Sequence, residues 1–502
     1  MAAHTRNSNP FDFMALLIQR LKALDQKCYS NKEERDSLVF SDEQEKAVAQ
    51  FLQEHPILTE EKALLAYAVG VPPSVFKDFQ TWPFRNEFVC VFHLLRSIDR
   101  CMRWESILHS YYVTDSQGEG AATPYITALN QNAEETGCRI IPRVPTIHDS
   151  PAPAEEGGPA GPEKHWGSEW DVGINQELKN TYYTEAGDLF VRGEPFQVRH
   201  VFFPDLSMEG KTSLKIGLSP VLCDEPLKPH YYEESVDGQN RKRFSVEGIK
   251  NENRVRSRIE ADLYEAGKNG ADFMLFPEML GNRAMLTPEN GYSAVLEAAA
   301  ARMSDDGLVV PRLILAPTWW HDNKNELYVF DNQCQPLLRQ EKQYPFSLGK
   351  HKEDLREPDR TVVVLHIPYL GRMAFPICKD FLIEDYTDML VKKLRVTFLF
   401  CPSYSPSSAQ FELGLPAHRP YGCCVIWLNC CSAHNYYSKE HGIPKCVGGI
   451  AYPSRGTTPT LFGPQCGGAC GDDSAACLFL VKISLDRDHP YVEYDHVCRG
   501  GA

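Results

Sequence analysis

Glu278, Lys342 and Cys378, in that order along the chain, are residues whose types and settings together suit nucleophilic chemistry. Cys378 ends the apolar run Gly371-Arg372-Met373-Ala374-Phe375-Pro376-Ile377, which reads as a strand handing over to a helix. A thiol at such a junction faces the unpaired N–H groups of a helix start. These favour the thiolate and can hold an oxyanion. Glu278 closes the short apolar run Ala271-Asp272-Phe273-Met274-Leu275-Phe276-Pro277, at the rim of a buried sheet. Lys342 stands in Glu341-Lys342-Gln343-Tyr344-Pro345-Phe346, after a strand-like segment and at a similar edge. A division of labour follows from the side chains. The carboxylate takes the thiol proton and later passes it to a leaving amine, the ammonium steadies a tetrahedral oxyanion, and the sulfur carries the acyl group.

This order and these contexts resemble the nitrilase (carbon-nitrogen hydrolase) superfamily over roughly residues 213 to 490. Phe276-Pro277-Glu278 and Ile377-Cys378-Lys379-Asp380 are similar to its glutamate and cysteine motifs. Phe398-Leu399-Phe400-Cys401-Pro402-Ser403 and Val425-Ile426-Trp427-Leu428-Asn429 are similar to its later strand ends. The resemblance implies a four-layer αββα sandwich, a Glu278-Lys342-Cys378 triad working through a thioester, and sandwich-to-sandwich pairing into a homo-oligomer. It also implies a second carboxylate in the segment after the lysine, for which Glu353 and Glu357 are the candidates, Glu353 being the one assigned. Lys379 and Ser403 are the expected substrate contacts. The chain departs from the pattern in three places. Lys379 follows the cysteine, Phe381-Leu382-Ile383 lacks an arginine, and Ala417-His418-Arg419-Pro420 puts proline where an acidic residue is expected.

The elements that must position these residues alternate strand and helix. Strands are expected at Leu214 to Leu218, Ala271 to Glu278, Arg312 to Trp319, Glu326 to Phe330, Thr361 to Ile367, Arg372 to Ile377, Val396 to Cys401, Val425 to Asn429 and Cys477 to Ile483. A long insertion precedes a charged helix over Phe244 to Lys268. Continuous apolar runs such as Val396-Thr397-Phe398-Leu399-Phe400 imply sheets covered on both faces. Residues 11 to 112 read instead as a helical bundle, with a capped start at Ser41-Asp42-Glu43-Gln44, another at Thr59-Glu60-Glu61-Lys62, and Phe92, Leu95, Ile98 and Met102 on one helix face. Trp82, Phe84 and Trp104 belong to its core. The Pro-Gly-Glu run from Asp149 to Pro162 reads as a mobile linker. The expected layout is a helical domain at 1–113, a flexible region at 114–170 and the α/β domain at 171–502.

Composition narrows the classes further. The 502 residues carry a net charge of −15, and the first 200 hold 29 acidic against 19 basic residues, which argues against a general nucleic-acid surface. The polar start Met1 to Pro10 does not read as a signal peptide and no apolar run reaches membrane length, so a cytoplasmic protein is expected. The 17 cysteines fall in apolar strands or adjacent pairs, as reduced buried thiols do. Cys466, Cys470 and Cys477 in a Gly-rich stretch read as a turn, and His418, His434 and His441 lack ligand spacing, so neither metal nor cofactor is expected. Gly210-Lys211-Thr212 is not a phosphate loop, because Asp205 stands where its first glycine is required. The function expected is cleavage of a carbon-nitrogen bond in a small amide, carbamoyl compound or nitrile. The alternatives are a binding or regulatory protein that keeps the fold without turnover, and an acyltransferase using the same thioester. The helical domain is the expected site of any protein partner.

Overall fold

The computed structural model describes residues 10–59, 71–102, 138–146, 173–221, 227–236, 239–281, 294–348, 350–435, 446–453, 458–463, 476–485 and 490–498. The chain is a mixed α/β protein. The expected linker, the helix start at Thr59-Glu60, Trp104, Cys466, Cys470 and His441 fall wholly or partly outside the described residues. The chain divides into two units, one formed mainly by residues 1–145 and 149–190 and the other mainly by 205–502.

In the first unit, Pro10–Leu24 buries Phe13, Met14, Leu17, Ile18 and Leu21, one apolar face at helical spacing. Asp42–Glu54 opens on the expected cap: the Ser41 hydroxyl accepts the Gln44 N–H at 3.3 Å, and Gln44 Oε1 accepts the Ser41 N–H at 2.9 Å. Phe88–Cys101 buries Phe92, Leu95 and Ile98, and Met102 beyond its end is buried as well. Trp82 lies in this core beside Phe51, with ring centroids 5.2 Å apart, and Phe84 packs on it partly exposed.

The unit also contains an antiparallel pair, Cys138–Pro142 with Thr181–Glu185. Gly173–Phe190, which the sequence pattern assigned to the α/β domain, groups here because Ile174, Leu178, Tyr182 and Tyr183 complete the helical core. Buried Asp99 ties it down: its carboxylate accepts the backbone N–H groups of Lys179 at 2.6 Å, Asn180 at 3.2 Å and Thr181 at 2.9 Å, and the Thr181 hydroxyl at 2.7 Å. Replacing Asp99 by Ala orphans these four donors at roughly 1 kcal/mol each, so urea unfolding of the first unit is expected to show a loss of about 4 kcal/mol.

The second unit is built on two large sheets. One runs Trp319–His321, Lys324–Asp331, Leu313–Leu315, Phe273–Leu275, Ser213–Leu218, Cys477–Ser484, Val492–Cys498, with Pro336–Glu341 paired to Lys324–Asp331. The other includes, in order, Thr460–Phe462, Gly448–Ala451, Cys424–Asn429, Phe398–Ser403, Gly371–Ala374 and Thr361–Ile367. Each is parallel at its centre: Phe273–Leu275 lies parallel to both neighbours, and Gly371–Ala374, Phe398–Ser403 and Cys424–Asn429 run together.

Side-chain alternation sorts the faces. Met274 and Ile314 join the core formed with the helices Glu252–Lys268 and Ala294–Asp305. Phe273 turns the other way to Phe400 of the second sheet, centroids 6.3 Å apart. On the second sheet, Trp427 stacks on Phe411 of the helix Ala409–Gly414 at 5.0 Å. The strand leading to Cys378 starts at Gly371, φ +133°, where a Cβ would run into the Thr397 hydroxyl.

One expected element is corrected. Phe244 to Ile249 is not helical. It ends the strand Gln239–Ile249, hairpin-paired with Leu227–Val236, and the helix begins only at Glu252. Phe244, Val246 and Ile249 are buried there while Glu247 is exposed, so each turn of a helix would have buried charge. The hairpin supports the site directly, because the short strand His351–Glu353 pairs parallel to it, Glu353 opposite Phe244.

Candidate active site

The parallel central strands of the two sheets release their carboxyl ends into a common rim, where α/β sheets ordinarily receive ligands. Glu278 leaves the first sheet three residues after Phe273–Leu275, its N–H donating to the Ser403 carbonyl at 3.4 Å. The next residue, Met279, has φ +66°, and its N–H donates to the Thr318 hydroxyl at 2.7 Å, so the chain turns sharply once the carboxylate is delivered. Lys342 follows Pro336–Glu341 directly, its N–H bonded to the Asn325 carbonyl at 2.8 Å.

Glu278, Lys342 and Glu353 form one fully buried ionic cluster. Lys342 Nζ lies 2.6 Å from Glu278 Oε1 and 2.8 Å from Glu353 Oε2. Glu353 Oε2 also accepts the Phe346 N–H at 2.7 Å. Glu357, the other candidate carboxylate, is exposed. Asn325 Nδ2 donates to Glu278 Oε1 at 2.8 Å, and the Tyr404 N–H to Oε2 at 2.8 Å. Among the described residues Oε1 thus accepts two strong donors, and Oε2 one. Burial works to deprotonate Lys342, but the Glu278 and Glu353 carboxylates and the Cys378 sulfur hold its pKa well above the usual lysine range. Burial pushes the Glu353 carboxyl up, against the pull of Lys342.

Cys378 is buried, 1% exposed, and occupies the first position of a five-residue 3₁₀ turn, Cys378–Leu382, with φ +48°. A non-glycine residue in this left-handed region stores strain, and such strain gathers at functional sites. Asp380 fixes the turn to the lysine segment. Its buried carboxylate accepts the N–H groups of Ile377 at 3.2 Å, Gln343 at 3.0 Å and Tyr344 at 2.8 Å. Burial raises the Asp380 pKa to about 7, while Lys342 and these three donors pull it back.

The thiol corrects one expectation. A helix start was expected to lower its pKa, yet burial first and the Glu278 charge second push it well up, and Lys342 offsets only part. The turn is too short and too buried for a helix-end field to compensate. The resting sulfur is therefore a neutral thiol in the electrostatic reach of a carboxylate.

Lys379, the next residue of the turn, is half-exposed and lies outside the buried cluster formed by Glu278, Lys342 and Glu353. Ser403 differs from the substrate contact expected of it. Its hydroxyl donates to the Leu428 carbonyl at 3.1 Å, with Asn429 Oδ1 at 3.2 Å, and accepts the Trp427 indole N–H at 2.8 Å, so it is spent within the sheet. His418 is buried, and desolvation lowers its ring to about pH 4. Among the described residues no group of three or more His, Cys, Asp or Glu is placed to hold a metal ion, and no helix is long and apolar enough to cross a membrane. All described cysteines are free thiols.

Sequence reasoning missed Asn325, whose side chain donates to Glu278 and whose backbone carbonyl accepts the Lys342 N–H. The available signal was a short amide and Glu326 leading straight into the apolar run Leu327 to Phe330 of one strand, Lys324–Asp331, where both Asn325 and Glu326 are fully buried.

No protein-family model matches the chain, and no curated protein matches it. Among solved structures, an amidase from Nesterenkonia sp. is similar at 12% identity and a TM-score of 0.31, over 59% of this chain and 93% of the amidase. A mutant of the Nesterenkonia AN1 amidase, from the nitrilase superfamily, is similar at 11% identity and 0.32, over 57% and 91%. Saccharomyces cerevisiae Nit3, a member of branch 10 of the same superfamily, is similar at 11% identity and 0.36, over 55% and 92%.

Proposed function

We propose that the chain is a nitrilase-type carbon-nitrogen hydrolase, its second unit a four-layer αββα sandwich and Cys378 its nucleophile. The observation that carries this reading is the Lys342 ammonium gripped between two buried carboxylates, 2.6 and 2.8 Å away, in electrostatic contact with a strained, buried cysteine. A structural ion pair has no need of two carboxylates for one ammonium, and burying the surplus charge is costly.

The chemistry follows from this arrangement. Cys378 Sγ passes its proton to Glu278, through Oε2, the oxygen with acceptor capacity left, and the sulfur attacks the substrate carbonyl carbon. This transfer leaves the net charge of the buried cluster unchanged, so burial opposes it less than it opposes ionisation to solvent. Two of the three Lys342 protons face the carboxylates, and the third is left for the oxyanion that forms as the carbon becomes tetrahedral. Collapse breaks the carbon-nitrogen bond, the nitrogen takes the proton from Glu278, and ammonia or an amine leaves a thioester on Cys378. Glu278 then accepts a proton from water, whose oxygen attacks the thioester, and returns it to the departing sulfur. Glu353 keeps Lys342 charged and aimed.

The test is intact mass and ammonia release with a panel of simple aliphatic amides. An acyl mass on the peptide containing Cys378, absent from Cys378→Ala, is the expected result. Ammonia released at the parent rate by Cys378→Ala would sink the reading.

A further inference from the structure

We infer that Asn325 is a substrate-binding residue, and that its side-chain carbonyl selects substrates bearing an N–H on the scissile nitrogen, so that the site takes amides and carbamoyl groups in preference to esters and nitriles. This deepens the hydrolase reading and rests on it.

Asn325 is fully buried, and its orientation is fixed by its neighbour. Nδ2 donates to Glu278 Oε1 at 2.8 Å, whereas a flipped amide would set oxygen against carboxylate oxygen. Oδ1 is then the atom left over, and it is buried with no hydrogen-bond partner among the described residues. It shares a carbon with Nδ2 through bonds of about 1.23 and 1.33 Å, so it lies within about 5.5 Å of Glu278 Oε1. The backbone of Asn325 is held by the Lys342 N–H at 2.8 Å, which leaves the residue little freedom to turn away.

A buried acceptor without a partner is disfavoured unless something supplies a donor. The charged neighbours cannot: Lys342 is committed to the two carboxylates and the oxyanion, and the Tyr404 N–H to Glu278 Oε2. The nitrogen of an amide attacked at Cys378 carries N–H bonds and must come close to Glu278 to receive its proton. An N–H···Oδ1 bond would hold that nitrogen beside its proton donor. An ester presents lone pairs there instead, and a nitrile presents no hydrogen, so each leaves Oδ1 unpaired, the kind of mismatch that discriminates strongly.

The test compares primary amides with methyl esters of the same acids, from acetate to hexanoate, in the parent and in Asn325→Ser and Asn325→Leu. The expected result is a 10- to 100-fold fall in the ratio of amide to ester kcat/KM in both variants. Parallel loss on both substrates, with the ratio within about threefold of the parent's, would mean that Asn325 acts only by holding Glu278, and would overturn the inference alone. A parent that turns over neither and gains no acyl mass overturns the hydrolase reading, and the inference with it. Should neither variant fold, the Cys378→Ala chain titrated with butanamide and with 2-pentanone, a methyl in place of the amino group, gives the comparison. At least tenfold tighter binding of the amide supports the inference, equal binding overturns it, and binding of neither overturns the reading.

Discussion

Replacing Lys342 by methionine is expected to lower turnover by roughly a thousandfold or more and to destabilise the second unit by about 3 to 5 kcal/mol at neutral pH. The two effects have different causes. Turnover falls because the only cation of the buried cluster disappears, and with it the donor for the oxyanion. Stability falls because Glu278 and Glu353, both fully buried, are left facing each other without a counter-charge.

The pH dependence separates these effects. Two carboxylates sharing a dry site cannot both stay ionised, so in the variant one takes up a proton at a pH well above the usual carboxylate range. The folded variant then binds a proton that the unfolded chain does not, and its stability rises as pH falls through that window towards the unfolded value. In the parent the lysine gives no slope between pH 5 and 9, because its raised folded pKa contributes stability that is complete below 10.5 and is lost only as pH rises through the folded value. The rise on acidification there comes from raised carboxyls such as Asp380, which the variant shares, so the variant must recover more than the parent. Urea denaturation of both chains between pH 5 and 9 is the measurement. A variant whose stability recovers no more than the parent's on acidification would mean that the carboxylates are not in contact, and that the cluster has another counter-ion.

The sequence made parts of this site readable for a definite reason. Glu278 and Cys378 end apolar runs that can only be central strands, and a polar residue at the carboxyl end of such a strand has a fixed place. The second carboxylate on Lys342 was readable only as a choice between two, of which Glu353 was assigned. Glu353 and Glu357 are four positions apart in one charged stretch, and what selects Glu353 is pairing of its strand to the inserted hairpin, Glu353 against Phe244. The end of that hairpin was misread as helix because a bulge breaks the alternation between Val246 and Ile249, and Glu247 and Lys250 beside them suit an exposed helix. The thiol pKa went the other way for a related reason. A local pattern shows a turn after Cys378, but it shows neither the burial that dominates the titration nor the Glu278 charge that adds to it from a distant part of the chain.

Glu278→Gln is expected to separate thiol reactivity from hydrolysis. Turnover should fall by roughly a hundredfold to ten-thousandfold, because the amide can neither take the Cys378 proton nor return it to the leaving nitrogen. Folding should survive, since Lys342 keeps Glu353 at 2.8 Å as its counter-charge. Some stability is nonetheless lost. Oε1 accepts Lys342 and Asn325 and Oε2 accepts Tyr404, so the new NH₂ group must face a donor wherever it sits, which costs about 1 to 3 kcal/mol. The informative change is at the sulfur. In the parent the Glu278 charge holds the thiol pKa up, next after burial, while Lys342 pulls it down. Removing the carboxylate leaves the ammonium unopposed by it, so the thiolate forms at lower pH than in the parent. A haloacetamide, which needs only a thiolate, should therefore alkylate Cys378 at least as fast in the variant at pH 8, while amide hydrolysis is nearly lost. Alkylation followed by peptide mapping, read beside ammonia release on the same samples, distinguishes the outcomes. Turnover within about tenfold of the parent would place the base elsewhere. Loss of alkylation together with turnover would mean that Glu278 shapes the turn carrying Cys378 instead of moving its proton.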